Sequence, residues 1–332
     1  MAIKKKNPIL FLLFIAIFLM VIFISGYKWY QSYQASPADT KAEMKNFVVD
    51  EGETPTDVAL RLQNDGIVRS SKVFLKVYTQ QKDEIVLQPG VYKVSAAMTP
   101  QQLVDAFRQS SADMKVTLLE GWRVEQMAQK LEAEMGIPQA EFLKLAKEGY
   151  MFPDTYFFND DTTVQGVVSV LQNTFEKRLT EDLLQKIKAQ GLTPEQGVIL
   201  ASLVEREGRS DKVRQEVASI MLKRLKMGMK LDIDATVRYA MDSVTYKANP
   251  KMTSWWGAIT QEDYSAVKSS YNTYLNTGLP PGPICNPSLA SLKAVANADP
   301  STPYVYYYHD SQGNSYYAKT LEEHVQNHRN HP

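Results

Sequence analysis

The sequence predicts an α+β protein in three unequal parts: an apolar N-terminal helix, a small strand–helix–helix–strand unit, and a larger mixed region that is mainly helical. Three observations predict it. Ile9 to Ile24 is an uncharged apolar block, short β-branched runs flank capped helical stretches between residues 46 and 94, and apolar residues recur at helical spacing from Thr162 onward. At 332 residues and 44% apolar composition, the chain can bury one large or two moderate cores. Lys plus Arg and Asp plus Glu both number 37, so no overall charge draws the chain onto nucleic acid, and any polymer it grips is gripped locally. The single cysteine, Cys285, excludes an intramolecular disulfide and a cysteine metal cluster.

The N-terminal stretch places Lys4, Lys5 and Lys6 before a segment with no charge until Lys28, long enough for one membrane-spanning helix. The positive-inside bias keeps these lysines in the cytoplasm and the rest of the chain outside it. A cleaved secretory signal is the alternative, but the apolar block exceeds the roughly 7–15 residues of such a signal and no clear A-x-A site follows. Trp29, Tyr30 and Tyr33 suit the far interface, where amphipathic rings prefer to sit. Residues 1–28 are therefore read as cytoplasmic tail and transmembrane anchor, and 29–45 as a linker.

"FVVDEGETPTDVALRLQNDG" reads as a strand, then a helix with Thr54 as N-cap and Pro55 at its first position, ending near Gly66. A second helix from Ser70 to Gln80 and the strand "GVYKV" complete a βααβ unit whose order and size resemble a LysM-like carbohydrate-binding module, assigned to residues 46–112. Glycan binding and bracing of the neighbouring region both stay open for it. Residues 118–131 echo 49–62, matching Gly52 with Gly121, Ala59 with Ala128 and Leu62 with Leu131, which suggests a duplicated element.

From Thr162 to Gln190 the apolar spacing is helical, and Gly191 ends the run. "TPEQ" then restarts a helix with Thr193 as N-cap, Pro194 first and Gln196 completing a capping box, so "LASLVEREG" is that helix's end, with Gly208 as its stop. Glu205 stacks on Val198, Ala201 and Ser202, the small-residue side where a groove could approach, whereas Glu207 follows Leu200, Leu203 and Val204. Both carboxylates stand where the helix dipole opposes negative charge, and burial would favour their protonated form, as a general acid near neutral pH requires. A surface glutamate paired with Arg206 or Arg209 is the plain alternative for Glu205.

"LASLVEREG", "VASIMLKRLKMGMKLDIDATVRYA" and "SSYNTYLNTGLPPGPICNPSLASLKAVANADPSTPYVYYY" occur in order and closely resemble the endolytic murein transglycosylase (MltG/YceG-like) family. The resemblance assigns a catalytic domain to 113–332 and implies Glu205 as the catalytic acid, with Glu207 in a supporting role. "LDIDATVRY" matches the family's aspartate and threonine at Asp234 and Thr236, but Ala235 stands where proline is usual, Ser288 where glycine is common, and Gly208 where threonine is expected. The implied reaction cleaves MurNAc-β-1,4-GlcNAc bonds within nascent strands: the muramoyl 6-hydroxyl attacks its own anomeric carbon, leaving 1,6-anhydro ends, and one carboxyl serves as acid and then base. No cofactor or metal is implied. Thr236, Asn272 and Thr273 are candidates for orienting the substrate's acetamido group, Asp234 lies beside them, and Tyr271 and Tyr274, beside the stiff "GLPPGP", are candidate sugar platforms. Coupling to glycan polymerases and penicillin-binding proteins is also implied. A hydrolytic muramidase using Asp234 and a non-catalytic glycan-binding protein are the alternatives.

Three features read as structural. Tyr306 and Tyr308 in "YVYYY" suit a packed strand, His324, His328 and His331 suit a solvated tail although the first two stand at a metal-like spacing, and Cys285 suits small-residue packing.

Overall fold

Local sequence decides where most helices begin. Thr54 and Thr193 each close a capping box, on Asp57 and Gln196, with proline at the first helical position. Ser70, Thr163, Thr180, Ser210, Ser288 and Thr320 also cap helices by accepting an amide hydrogen bond.

The computed structural model describes residues 8–50, 52–81, 87, 90–109, 114–159 and 162–331, with side chains from residue 18. In order, its elements are α1 (Pro8–Gln34), β1 (Lys45–Val49), α2 (Pro55–Asn64), α3 (Ser71–Gln80), β2 (Gly90–Val94), α4 (Pro100–Gln109), β3 (Met114–Thr117), α5 (Val124–Met135), α6 (Gln139–Leu145) and β4 (Thr155–Phe158). They continue as α7 (Val164–Arg178), α8 (Glu181–Ala189), α9 (Pro194–Glu207), α10 (Asp211–Lys226), α11 (Asp234–Ala248), α12 (Asp263–Ala266), α13 (Leu289–Ala296), β5 (Tyr306–His309), β6 (Ser315–Ala318) and α14 (Leu321–Asn330). The chain divides into two units, Met1–Lys115 with Phe157–Asp161, and Val116–Tyr156 with Thr162–Pro332.

In the first unit β1 and β2 pair antiparallel from Lys45 opposite Val94 to Val49 opposite Gly90, giving the strand–helix–helix–strand order expected. Helix α4 joins the same core through Leu103, Val104 and Phe107, whose ring meets those of Phe47, Phe74 and Tyr92 at 4.7–6.1 Å. In α1, Trp29, Tyr30 and Tyr33 are exposed. Among the described residues no helix is long and apolar enough to cross a membrane, and Lys4, Lys5 and Lys6 lie outside them.

The second unit is built around α9, whose residues Gly197 to Val204 are all buried. Helices α8, α10, α11 and α13 pack around it, and two two-stranded sheets, β3 with β4 and β5 with β6, complete the strands. The sequence echo reappears as a second strand–helix–helix–strand succession, β3 to β4, with Gly121 at φ 73° where Gly52 has φ 83°. The single helical stretch expected over 162–190 is instead two helices, because Thr180 accepts the Leu183 amide and starts a new one with Glu181 and Asp182 in its first turn.

Gly208 does end α9, but its φ of −99° is open to any residue. Crowding is what excludes a side chain: a Cβ there would stand 2.4 Å from Cγ and 2.9 Å from Cα of Arg214. Gly208→Ala is therefore expected to destabilise the protein by about 1–3 kcal/mol through overpacking. A thermal melt equal to that of the unsubstituted chain would refute this.

Candidate active site

Glu205 and Glu207 are two residues apart, which on a helix rotates their side chains by about 200°. They consequently meet different surroundings. Glu205 points toward α13, and its side chain is 5% exposed. Its Oε2 accepts from the Ser288 amide at 2.9 Å, the Ser288 hydroxyl and the Ser291 hydroxyl at 2.7 Å, while Arg214 faces Oε1 at 3.4 Å. The groove expected on the small-residue side of α9 is filled: Ser202 Oγ accepts the Ile284 amide, and the buried Cys285 thiol donates to the Ser202 carbonyl. Small side chains let a loop approach the helix rather than leaving space for a ligand. Ser288, where the family commonly has glycine, supplies Glu205 with a hydroxyl donor.

Glu207 meets open space. With Asp234, Tyr264, Tyr274, Tyr307 and His309 it lines a cleft of ≈ 610 Å³, and with Asp234, Arg206, Arg238 and Trp256 it lines a second cavity of ≈ 210 Å³. Tyr307 donates to Glu207 Oε2 at 3.1 Å. Burial pushes the Glu207 carboxyl up to about 7; the Tyr307 hydrogen bond opposes this, the Asp234 charge adds to it and Arg206 opposes it.

Asp234 opens α11 and is held by two tyrosines, accepting from Tyr274 Oη at 2.5 Å and Tyr264 Oη at 3.4 Å. Those rings stack on each other at 4.2 Å. Tyr274 thus lines the cleft, whereas Tyr271 packs on Tyr239 at 4.8 Å.

Thr236, Asn272 and Thr273, expected to meet the substrate, are buried, with their polar atoms hydrogen-bonded within the protein. Thr236 Oγ1 donates to the Ile233 carbonyl and lies 3.0 Å from Thr273 Oγ1, which accepts the Ile233 amide. Asn272 donates to the Tyr264 and Val267 carbonyls and accepts the Tyr274 amide. These side chains fasten the Tyr271–Tyr274 loop to the start of α11, and so set where Asp234 and Tyr274 stand.

The C-terminal histidines, read as solvated, also touch aromatic rings. His324 stacks on Tyr306 at 5.3 Å, His328 on Tyr308 at 3.6 Å and His331 on Tyr316 at 4.1 Å, so α14 seals onto the β5–β6 hairpin. His324, His328, Tyr306 and Tyr308 line the larger cleft, while no residue of α14 is buried and His328 stays exposed. No group of three or more metal-ligating side chains occurs among the described residues.

Sequence reading missed Arg123 and Glu148. Arg123 is fully buried, paired with Glu125 at 2.9 Å, and donates to the Tyr239 carbonyl and Ser243. Glu148 accepts from the Val124 amide and from Asn286 at 3.0 Å, tying the "GPICNP" loop to the start of α5. No motif marked either residue, because the partners that fix their places, Tyr239 and Ser243 for Arg123 and Asn286 for Glu148, lie more than a hundred residues away in the chain.

The sequence profile of the YceG-like family matches residues 47–330. The chain belongs to that family. Among its relatives, an endolytic murein transglycosylase of Streptococcus pneumoniae is 25% identical over 96% of this chain, and one of Bacillus subtilis is 28% identical over 84% of it. The chain spans 64% of the pneumococcal protein's length and 82% of the Bacillus one's. A YceG-like protein of Listeria monocytogenes shares the fold, with a TM-score of 0.55 and 24% identity over 86% of this chain and 99% of that one. Within the YceG-like frame, Ala235 is not a loop residue but the second residue of α11, where proline and alanine are both compatible with the first helical turn.

Proposed function

We propose that this protein cleaves peptidoglycan glycan strands within their length as a lytic transglycosylase, with Glu207 as the acid–base. One observation carries the reading: Glu207 and Asp234 are common to two adjoining cavities, so a polymer occupying both would present an internal bond to them. The names of the Streptococcus and Bacillus relatives support the reaction class.

The chemistry follows from the groups present. A carboxyl held near 7 is protonated in a substantial share of molecules at neutral pH, so Glu207 can give its proton to the glycosidic oxygen as the bond from the anomeric carbon breaks. The same group, now a carboxylate, takes the proton of the muramoyl 6-hydroxyl as that oxygen closes on the anomeric carbon. No water is consumed. Tyr307, donating to Glu207 Oε2, fixes the carboxyl's orientation, and Asp234, anchored by Tyr274 and Tyr264, supplies negative charge beside the developing oxocarbenium ion. Glu205, committed to Ser288, Ser291 and Arg214, positions the end of α9 against α13 and α10.

The N-terminal sequence supports an anchor that would hold the enzyme at the outer face of the membrane where strands are made: Ile9 to Ile24 is wholly uncharged and follows Lys4, Lys5 and Lys6. The βααβ arrangement of the first unit supports a LysM-like role in holding glycan, and action on nascent strands suits coupling to polymerases and penicillin-binding proteins. A hydrolytic muramidase is the second reading, favoured by Asp234 lining both cavities with Glu207. Mass spectrometry of uncrosslinked strands digested by the full-length protein separates them. Internal fragments with 1,6-anhydro ends are the expected product, reducing ends would establish hydrolysis, and intact strands would sink both.

A further inference from the structure

We propose that the smaller cavity beside Glu207 is a carboxylate subsite, in which Arg206 and Arg238 hold an acidic group carried on the glycan; this rests on the reading that the cleft takes peptidoglycan. The acidic group is the muramoyl lactyl carboxylate or a carboxylate of the peptide attached there.

Arg206 carries the inference. Arg123, Arg214, Arg224 and Arg238 each have a carboxylate partner, Glu125, Glu205, Asp232 and Asp242. Arg206 has no carboxylate within ion-pair distance among the described residues, although its charge acts on the neighbouring Glu207. Its guanidinium lies over the Trp256 ring at 4.0 Å, its Nη1 donates to the Gly121 carbonyl at a long 3.4 Å, and its Nε is buried without a partner. A partly buried guanidinium that no carboxylate contacts directly keeps its fork open to an incoming anion, and Glu207 beside it is the group held toward its neutral form.

The surroundings hold this cation in place. Trp256 has a φ of 58°, a conformation costly for a bulky residue, and is kept there by its amide donating to Asp242 at 3.0 Å and its indole donating to Gln126 at 3.1 Å. Gly257 lets the chain lie against Arg238, since a Cβ there would stand 3.3 Å from the guanidinium carbon. Ala235 lines the same cavity in the first turn of α11, whose N-cap Ile233 makes no side-chain cap bond. A proline at 235 would have no amide hydrogen, so the alanine adds a donor to this wall. The planar fork of Arg206 against a flat acceptor selects a carboxylate on the substrate, and Arg238, one nitrogen of which is held by Asp242 at 2.8 Å, adds positive charge that offsets Glu207 and Asp234 in the same wall. Placed beside Glu207, that contact would register the muramoyl residue against the acid.

Calorimetry on the full-length protein tests this with three probes: a muramoyl peptide with free carboxylates, the same compound amidated at every carboxyl, and a peptide-free muramoyl glycan with its lactyl carboxylate. The free-carboxylate peptide, the lactyl glycan, or both are expected to bind on the order of tenfold more tightly than the amidated compound, and which does so identifies the source of the anion. The preference should vanish in Arg206→Gln and survive in part in Arg206→Lys, which keeps charge and most of the packing on Trp256. Equal affinity for all probes, or a preference that persists in Arg206→Gln, would overturn the subsite. Cleavage of amidated strands as fast as acidic ones would remove the subsite and leave the enzyme reading standing, whereas no binding and no cleavage of any strand would remove both.

Discussion

Glu207→Gln is expected to lower strand cleavage by roughly a hundred- to ten-thousandfold, the range for loss of one general acid–base. Glu205→Gln is expected to cost activity far less and stability more. The reason lies in what surrounds each carboxyl. Glu207 opens onto both cavities, its carboxyl is pushed up to about 7 by burial, and its one hydrogen-bond donor is Tyr307, so an amide there removes the proton donor while leaving the fold intact. Glu205 is 5% exposed, accepts three hydrogen bonds from Ser288 and Ser291 and faces Arg214. The amide keeps an acceptor oxygen and Arg214 keeps Asp211 at 3.4 Å, but the charge that Ser288, Ser291 and Arg214 face is gone, a loss of about 1–3 kcal/mol for hydrogen bonds to a charged group. Cleavage rates and thermal melts on both variants decide between them. If Glu205→Gln abolished cleavage with an unchanged melt while Glu207→Gln stayed active, the assignment implied by family resemblance would stand and the one drawn from the cavities would fall.

The two glutamates also show how far the sequence could be read. Capping chemistry is local, so the starts of α2 and α9 were legible at Thr54 and Thr193, and the helical period placed both glutamates in the last turn of α9. Which side of that turn faces a ligand is not local. It depends on Ser288 and Ser291, more than eighty residues away, closing over Glu205. The same limit applies to Thr236, Asn272 and Thr273: polar residues in a motif suggest contact with substrate, but here they satisfy the backbone of a tight loop, as buried polar groups must. His324 and His328 show a milder limit. A polar C-terminal stretch reads as solvated, and no residue of α14 is buried, but the sequence did not show that a helix placing them four apart lays them on Tyr306 and Tyr308. The break at Thr180 was available in the sequence, in the threonine followed by two acids, and was hidden by an apolar period that continues across it.

Glu148 leads to the second large effect, on stability against pH. Burial pushes its carboxyl from the ordinary 4.5 up to about 8; the Glu125 charge adds to this, while Arg123 and the Val124 and Gly149 amides oppose it. A folded value above the unfolded one means that the native state binds the extra proton, so stability is full below about pH 4.5 and is lost as pH rises through about 8. Glu207, raised to about 7, has the same sign. The unit containing α5 and the "GPICNP" loop should therefore melt at a lower temperature at about pH 9 than at about pH 6, by an amount on the order of 2 kcal/mol. Glu148→Gln should flatten this dependence, because the amide oxygen can still accept from Val124 and Asn286 but has no proton to lose. Calorimetric melts across that range test it, and a pH profile unchanged by Glu148→Gln would show that this carboxyl does not ionise within it. The same variant separates structure from chemistry. Glu148 ties Asn286 to α5, and Asn286 in turn donates to the Trp122 carbonyl, accepts the Met151 amide and stands two residues before Ser288, the donor to Glu205. A charge forced onto Glu148 at high pH thus strains the loop that closes over Glu205, while Glu207, on the other side of α9, keeps its partner Tyr307.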